Sequence, residues 1–103
     1  MDIYWSKHAK SRLFERILSI GISEDEVEQI IRNQRVKTST GYDKKYKTHN
    51  IECIEKIKDT FITIQKSESK NMIYVKTLWE SKSREEEIWR KNIKKSYNKL
   101  KWD

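Results

Sequence analysis

The chain has 103 residues, enough for one domain and too few for two. Only 35% are hydrophobic and 38% are charged, so the core must be small, yet periodic apolar residues with four Trp and five Tyr argue against a disordered chain. The formal net charge of +7 says little about fold and points to an anionic partner: nucleic acid, an anionic membrane or an acidic protein.

Other classes are disfavoured by what the chain lacks. Cys53 is the only cysteine, so no intrachain disulfide forms, which fits a reducing, cytoplasmic setting. No apolar run approaches the roughly 20 residues of a membrane span. Met1 to Trp5 does not read as a signal peptide. No membrane partner is therefore expected. His8, His49 and Cys53 are too few to read as a metal site, and no cofactor is expected.

In chain order, Ile3, Tyr4 and Trp5 form an apolar lead that reads as a short strand or a segment packed on a sheet. Ser6 is a good N-cap for a helix predicted over Lys7 to Ile20. Gly21 follows as a left-handed stop, with Ile22 placed to fold back on the last turn. Ala9, Leu13, Phe14, Ile17 and Leu18 should make the apolar side of this helix. Ser23 and Glu26 form a capping box for a second helix whose buried stripe is Val27, Ile30 and Ile31, and which exits near Asn33. Glu24, Asp25, Glu26 and Glu28 suit the positive end of that helix, so a structural role is the simplest one.

The period then changes. Val36 to Thr40 alternates and is β-branched, which predicts a strand, and Gly41 to Lys44 reads as a turn. Tyr46 to Cys53 is a strand candidate, with a short helix on Ile51, Ile54 and Ile57 as its rival. Thr60 to Ile64 is a strand by propensity, and Ser67 to Asn71 a polar loop. Met72 to Trp79 is the last strand, with Ile73, Val75, Thr77 and Trp79 on one face and Tyr74, Lys76 and Leu78 on the other. From Ser81 to Lys101 a basic amphipathic helix is expected, with a stripe of Trp89, Ile93, Tyr97 and Leu100. Docking of this tail on residues 1–80 is the favoured arrangement, because Trp89 and Trp102 would be costly to expose. The expected fold is α+β: two N-terminal helices on an antiparallel sheet of three or four strands, plus the C-terminal helix.

Within the first helix, His8, Arg12 and Arg16 lie four residues apart and share one ridge. One imidazole and two guanidiniums in a row suit the handling of phosphate. The competing structural roles are a local hydrogen bond for His8 and ion pairs of Arg12 and Arg16 with Glu15 or Glu24. Cys53 reads as a small core residue. Tyr42, Tyr46 and Tyr74 are able to stack on bases or simply to fill sheet faces.

Lys7-His8-Ala9, Arg12, Arg16, Gly21-Ile22-Ser23 and Val27 together resemble a family of small bacterial domains. Its hallmark is a His-Ala, an Arg four residues on, a further Arg and a Gly-Ile-Ser helix start. That family is similar to RelE-type toxins within the ribonuclease superfamily of barnase, EndoU, colicins and RelE. The resemblance covers about residues 3–79 and implies metal-independent RNA cleavage, with the RNA 2′-OH as nucleophile, in a free-standing toxin held in check by an antitoxin or immunity protein. It implies His8 as general acid or base and Arg12 and Arg16 as phosphate holders. A second acid/base should come from the sheet, with His49, Tyr46, Thr77 and Lys76 as candidates. Lys7, Lys44, Lys45, Lys47, Lys76, Arg90 and Lys94 are the candidate RNA-binding cations. The alternatives are a non-catalytic nucleic-acid-binding module and an interaction protein of a phage or mobile element.

Overall fold

The structure, a computed structural model, describes the backbone of residues 2–45 and 47–102, with side chains except those of Ser39 and residues 94–102. The elements run β1 (Asp2–Trp5), α1 (Lys7–Arg12), α2 (Glu24–Arg32), β2 (Val36–Asp43), β3 (Thr48–Ile57), β4 (Thr60–Glu68), β5 (Met72–Glu80) and α3 (Ser83–Trp102). Between α1 and α2 the chain passes through a π-helical turn, Leu13–Ile17, and a 3₁₀ turn, Leu18–Ile20.

One sheet of five strands, in the order β1-β5-β4-β3-β2, organises the molecule. The expected sheet of three or four antiparallel strands is corrected on both counts. The apolar lead is a true strand, and it runs parallel to β5, with Ile3 opposite Ile73 and Trp5 opposite Val75. No turn signal joins two strands so far apart in sequence. Their pairing comes from burial, which brings Ile73 and Val75 under the helices. The remaining ladders, β5 to β4, β4 to β3 and β3 to β2, are antiparallel.

Several boundaries also differ from the expectation. Gly41 lies inside β2, beside a bulge between Ser39 and Gly41, so the turn falls after Asp43. Residues 51–57 are strand, not helix, because β3 pairs with β4 as far as Ile57 opposite Thr60. β4 extends through Ser67 and Glu68, and the backbone bond from Ser69 N–H to Met72 O closes the hairpin.

The helical face of the sheet carries the main core: Ala9, Leu13 and Ile17 from the first helical segment, Val27, Ile30 and Ile31 from α2, and Cys53, Ile62, Ile64, Ile73, Val75 and Leu78 from the strands. Phe14, expected in this stripe, is exposed. The π turn is the reason. Leu18 N–H bonds to Leu13 O, five residues back, so the widened turn keeps Leu13 and Ile17 over the sheet and leaves Phe14 outside. Gly21 ends the segment in the left-handed region at φ 86°, where a side chain would be strained.

Two polar devices lock the helices down. Ser23 and Glu26 make the reciprocal capping box of α2. The fully buried Lys66 amine donates to Ile31 O at 2.8 Å, to Gln34 Oε1 at 2.9 Å and to Glu68 Oε1, which ties β4 to the C-terminal end of α2. On the opposite face, α3 lies across part of the sheet. Trp89 meets Phe61 edge to face at 5.1 Å, and Glu85 accepts from Thr63 Oγ1, Trp79 Nε1 and Lys82 N–H. The side chains of Tyr97, Leu100 and Trp102, which complete the expected stripe, lie outside the described residues. No helix among the described residues is long and apolar enough to cross a membrane.

Candidate functional site

β5 does not keep a strict alternation. Lys66 pairs with Val75 and Gln65 with Thr77, which leaves Lys76 as an inserted residue. Val75 and Leu78 consequently both face the helical core, and the expectation that Thr77 and Trp79 share the face of Ile73 and Val75 is corrected. Beyond the bulge, Glu80 stands opposite Ile62 and so shares the helical face, whereas Trp79 turns to the other side and donates to Glu85. One inserted residue therefore decides which end-of-strand side chains look toward α1.

Ser6 fixes α1 against this strand. Its hydroxyl oxygen accepts from Ala9 N–H at 2.9 Å as the N-cap, and the same hydroxyl donates to Lys76 O at 2.8 Å. Ser6 N–H bonds to Val75 O. The ridge of α1 is thereby set beside the part of β5 that β1 does not cover. The result is a cleft of about 440 Å³ lined by His8, Arg12, Arg16, Thr77, Leu78, Trp79, Glu80 and Lys82.

The charged members of the cleft are uncommitted. Among the described residues, the side chains of His8, Arg12, Arg16, Glu80 and Lys82 make no hydrogen bond or ion pair. The ion-pair partners expected for the arginines are taken by others: Glu24 by the Lys10 amine, Glu15 by the Ser11 hydroxyl. Four cation-forming side chains and one carboxylate thus surround a space that fits a phosphate group.

Of the residues singled out in the sequence, His8, Arg12, Arg16 and Thr77 come together here. His49 does not. It packs against Tyr42 with the rings tilted by 45° and their centroids 4.6 Å apart, and it lines a separate hollow with Lys37, Ile51 and Glu68. Tyr46 lies outside the described residues, as does the side chain of Lys94. Lys76 points to the other sheet face, where its amine donates to Asn50 Oδ1, an atom that also accepts from the Ser67 hydroxyl. Lys7, exposed on α1, does not line the cleft, and Lys44, Lys45 and Lys47 are exposed around the β2–β3 turn. The Arg90 guanidinium lies 5.4 Å over the Phe61 ring. The candidate RNA-binding cations are therefore spread over separate surfaces.

Glu80 and Lys82 were not legible as site residues. Each sits at a strand end in a charged stretch, and only the bulge and the open edge of β5 bring them to α1.

Elsewhere, titratable groups are absorbed by the fold. Burial pushes the Cys53 thiol up to about 11, which makes it inert. Burial raises the Glu55 carboxyl, but hydrogen bonds from Arg35 outweigh it and hold the group below its ordinary value. No group of three or more His, Cys, Asp or Glu placed to hold a metal ion occurs among the described residues. Among known proteins, no family profile and no curated sequence matches the chain.

Proposed function

We propose that the cleft beside β5 cleaves RNA without a metal, using the 2′-OH of the substrate as the nucleophile. The observation that carries this reading is the meeting of an imidazole, two guanidiniums and a carboxylate, all uncommitted, in one cleft. In this scheme the Glu80 carboxylate takes the 2′-OH proton, and the 2′ oxygen attacks the adjacent phosphorus. The bond from phosphorus to the 5′ oxygen breaks, and the His8 imidazolium protonates the departing oxygen. The products are a 2′,3′-cyclic phosphate and a 5′-OH end. Arg12, Arg16 and Lys82 supply charge against the doubly negative phosphorane. Glu80 takes the role for which His49 and Tyr46 were candidates, since a carboxylate is a competent base at neutral pH and His49 lies in another hollow.

The resemblance to RelE-type toxins supports the same reading, as does the net charge of +7. The test is cleavage of total cellular RNA, with and without ribosomes, in EDTA, by wild type, His8→Ala and Glu80→Gln. Cleavage by wild type that leaves cyclic phosphate ends, with each variant slowed about 10²-fold or more, is the expected result. Intact RNA in both conditions, alongside binding that weakens steeply with salt, would transfer the cleft to a non-catalytic nucleic-acid-binding role.

A further inference from the structure

We infer that the uncovered edge of β5 is a strand-addition site for an extended acidic segment of a partner protein. β1 pairs only with Met72–Val75, and after Trp5 the chain turns away into α1. Among the described residues, the outer edge of β5 from Thr77 to Glu80 has no strand beside it.

The ladder on the other side says which backbone groups are left over. Ser81 N–H bonds to Phe61 O, and Trp79 with Thr63 and Thr77 with Gln65 continue that register. Hydrogen-bonded and non-bonded pairs alternate in an antiparallel ladder. The N–H and C=O groups of Leu78 and Glu80 therefore point away from β4, into the cleft that both residues line. The cleft is in effect the place of a missing strand, walled on one side by β5 and on the other by the ridge of α1.

The chemistry of the walls selects the occupant. A strand laid here pairs with the backbone of Leu78 and Glu80 and presents every second side chain to the α1 side. There it meets His8, Arg12 and Arg16, with Lys82 nearby, against the single carboxylate of Glu80. Carboxylates at alternate positions of the incoming segment complement that wall. RNA satisfies the cations but has few donors to offer the carbonyls of Leu78 and Glu80, whereas a peptide strand meets both needs. Occupation would fill the cleft and block substrate. That consequence, unlike the binding itself, rests on the ribonuclease reading.

The experiment uses the full chain and a short peptide of alternating Glu and Val. The controls are the same peptide methylated at every second backbone nitrogen, a Lys-Val version and a short single-stranded RNA. Anisotropy reads affinity, and amide hydrogen exchange reads the edge. The Glu-Val peptide is expected to bind and to slow exchange at Leu78 and Glu80, methylation to weaken it about tenfold, and the Lys-Val peptide not to bind. Equal affinity after methylation, or unchanged exchange at both amides, overturns the proposal. So does stronger protection of those amides by RNA. Cleavage is assayed without peptide: cut RNA with no peptide binding removes only this inference, and bound peptide with intact RNA removes only the ribonuclease reading.

Discussion

Lys66 and the α1 ridge lie on the same side of the sheet and handle positive charge in opposite ways. The Lys66 amine is buried and finds three acceptors, from the end of α2, the loop after it and β4 itself. Arg12 and Arg16 line an open cleft and have no partner among the described residues. A buried charge survives only when paired and hydrogen-bonded, whereas a solvated one costs the fold nothing. A second pair repeats the contrast. Glu85 is spent on Thr63, Trp79 and the Lys82 backbone, and Glu80, five residues earlier, has no side-chain partner among the described residues. The difference teaches that charges holding the molecule together and charges available for chemistry are separable by mutation.

The sharpest way to break that separation is at the cleft. His8→Ala should lower RNA cleavage about 10²–10⁴-fold while leaving the melting temperature near wild type, read by cleavage kinetics and thermal denaturation on one preparation. A large drop in melting temperature would instead place His8 among the structural charges.

Lys66→Ala should do the reverse. It strands Glu68 and the Ile31 carbonyl and opens a space, so a loss of about 3 kcal/mol in denaturant unfolding is expected, with cleavage per folded molecule unchanged.

Arg35→Ala tests an intermediate case, because Arg35 is exposed while the Glu55 carboxylate is only 6% accessible. A loss of about 2 kcal/mol at neutral pH is expected. Glu55 is held below its ordinary value of 4.5 in the folded state, so its stabilisation is whole above about pH 4.5 and is lost as pH falls through the folded value. The stability curves of wild type and Arg35→Ala should therefore converge in acid. Parallel curves down to low pH would show that the pair contributes through packing alone.

The smallest effect is expected at the α2 cap, where Ser23→Ala should cost about 1 kcal/mol and leave cleavage intact.

Local rules reached far into this chain. The Ser6 and Ser23 caps, the Gly21 stop and the α2 stripe are set by residues within a few positions of one another, and the spacing of His8 and Arg12 places them on one ridge. The parallel pairing of β1 with β5, the inserted Lys76, the exposure of Phe14 and the arrival of Glu80 and Lys82 beside α1 were decided elsewhere. A bulge flips every side chain after it to the opposite face, and nothing local in Tyr74-Val75-Lys76-Thr77 marks where it falls. Its position follows from fitting Ile73, Val75 and Leu78 together under the helices. The amino-acid sequence by itself determined the ridge that His8 and Arg12 share, because a helix repeats locally, whereas Arg16 follows in the π turn and Lys82 arrives from beyond the end of β5. Only tertiary packing supplied the carboxylate and the open strand edge, because both depend on how strands distant in the chain align.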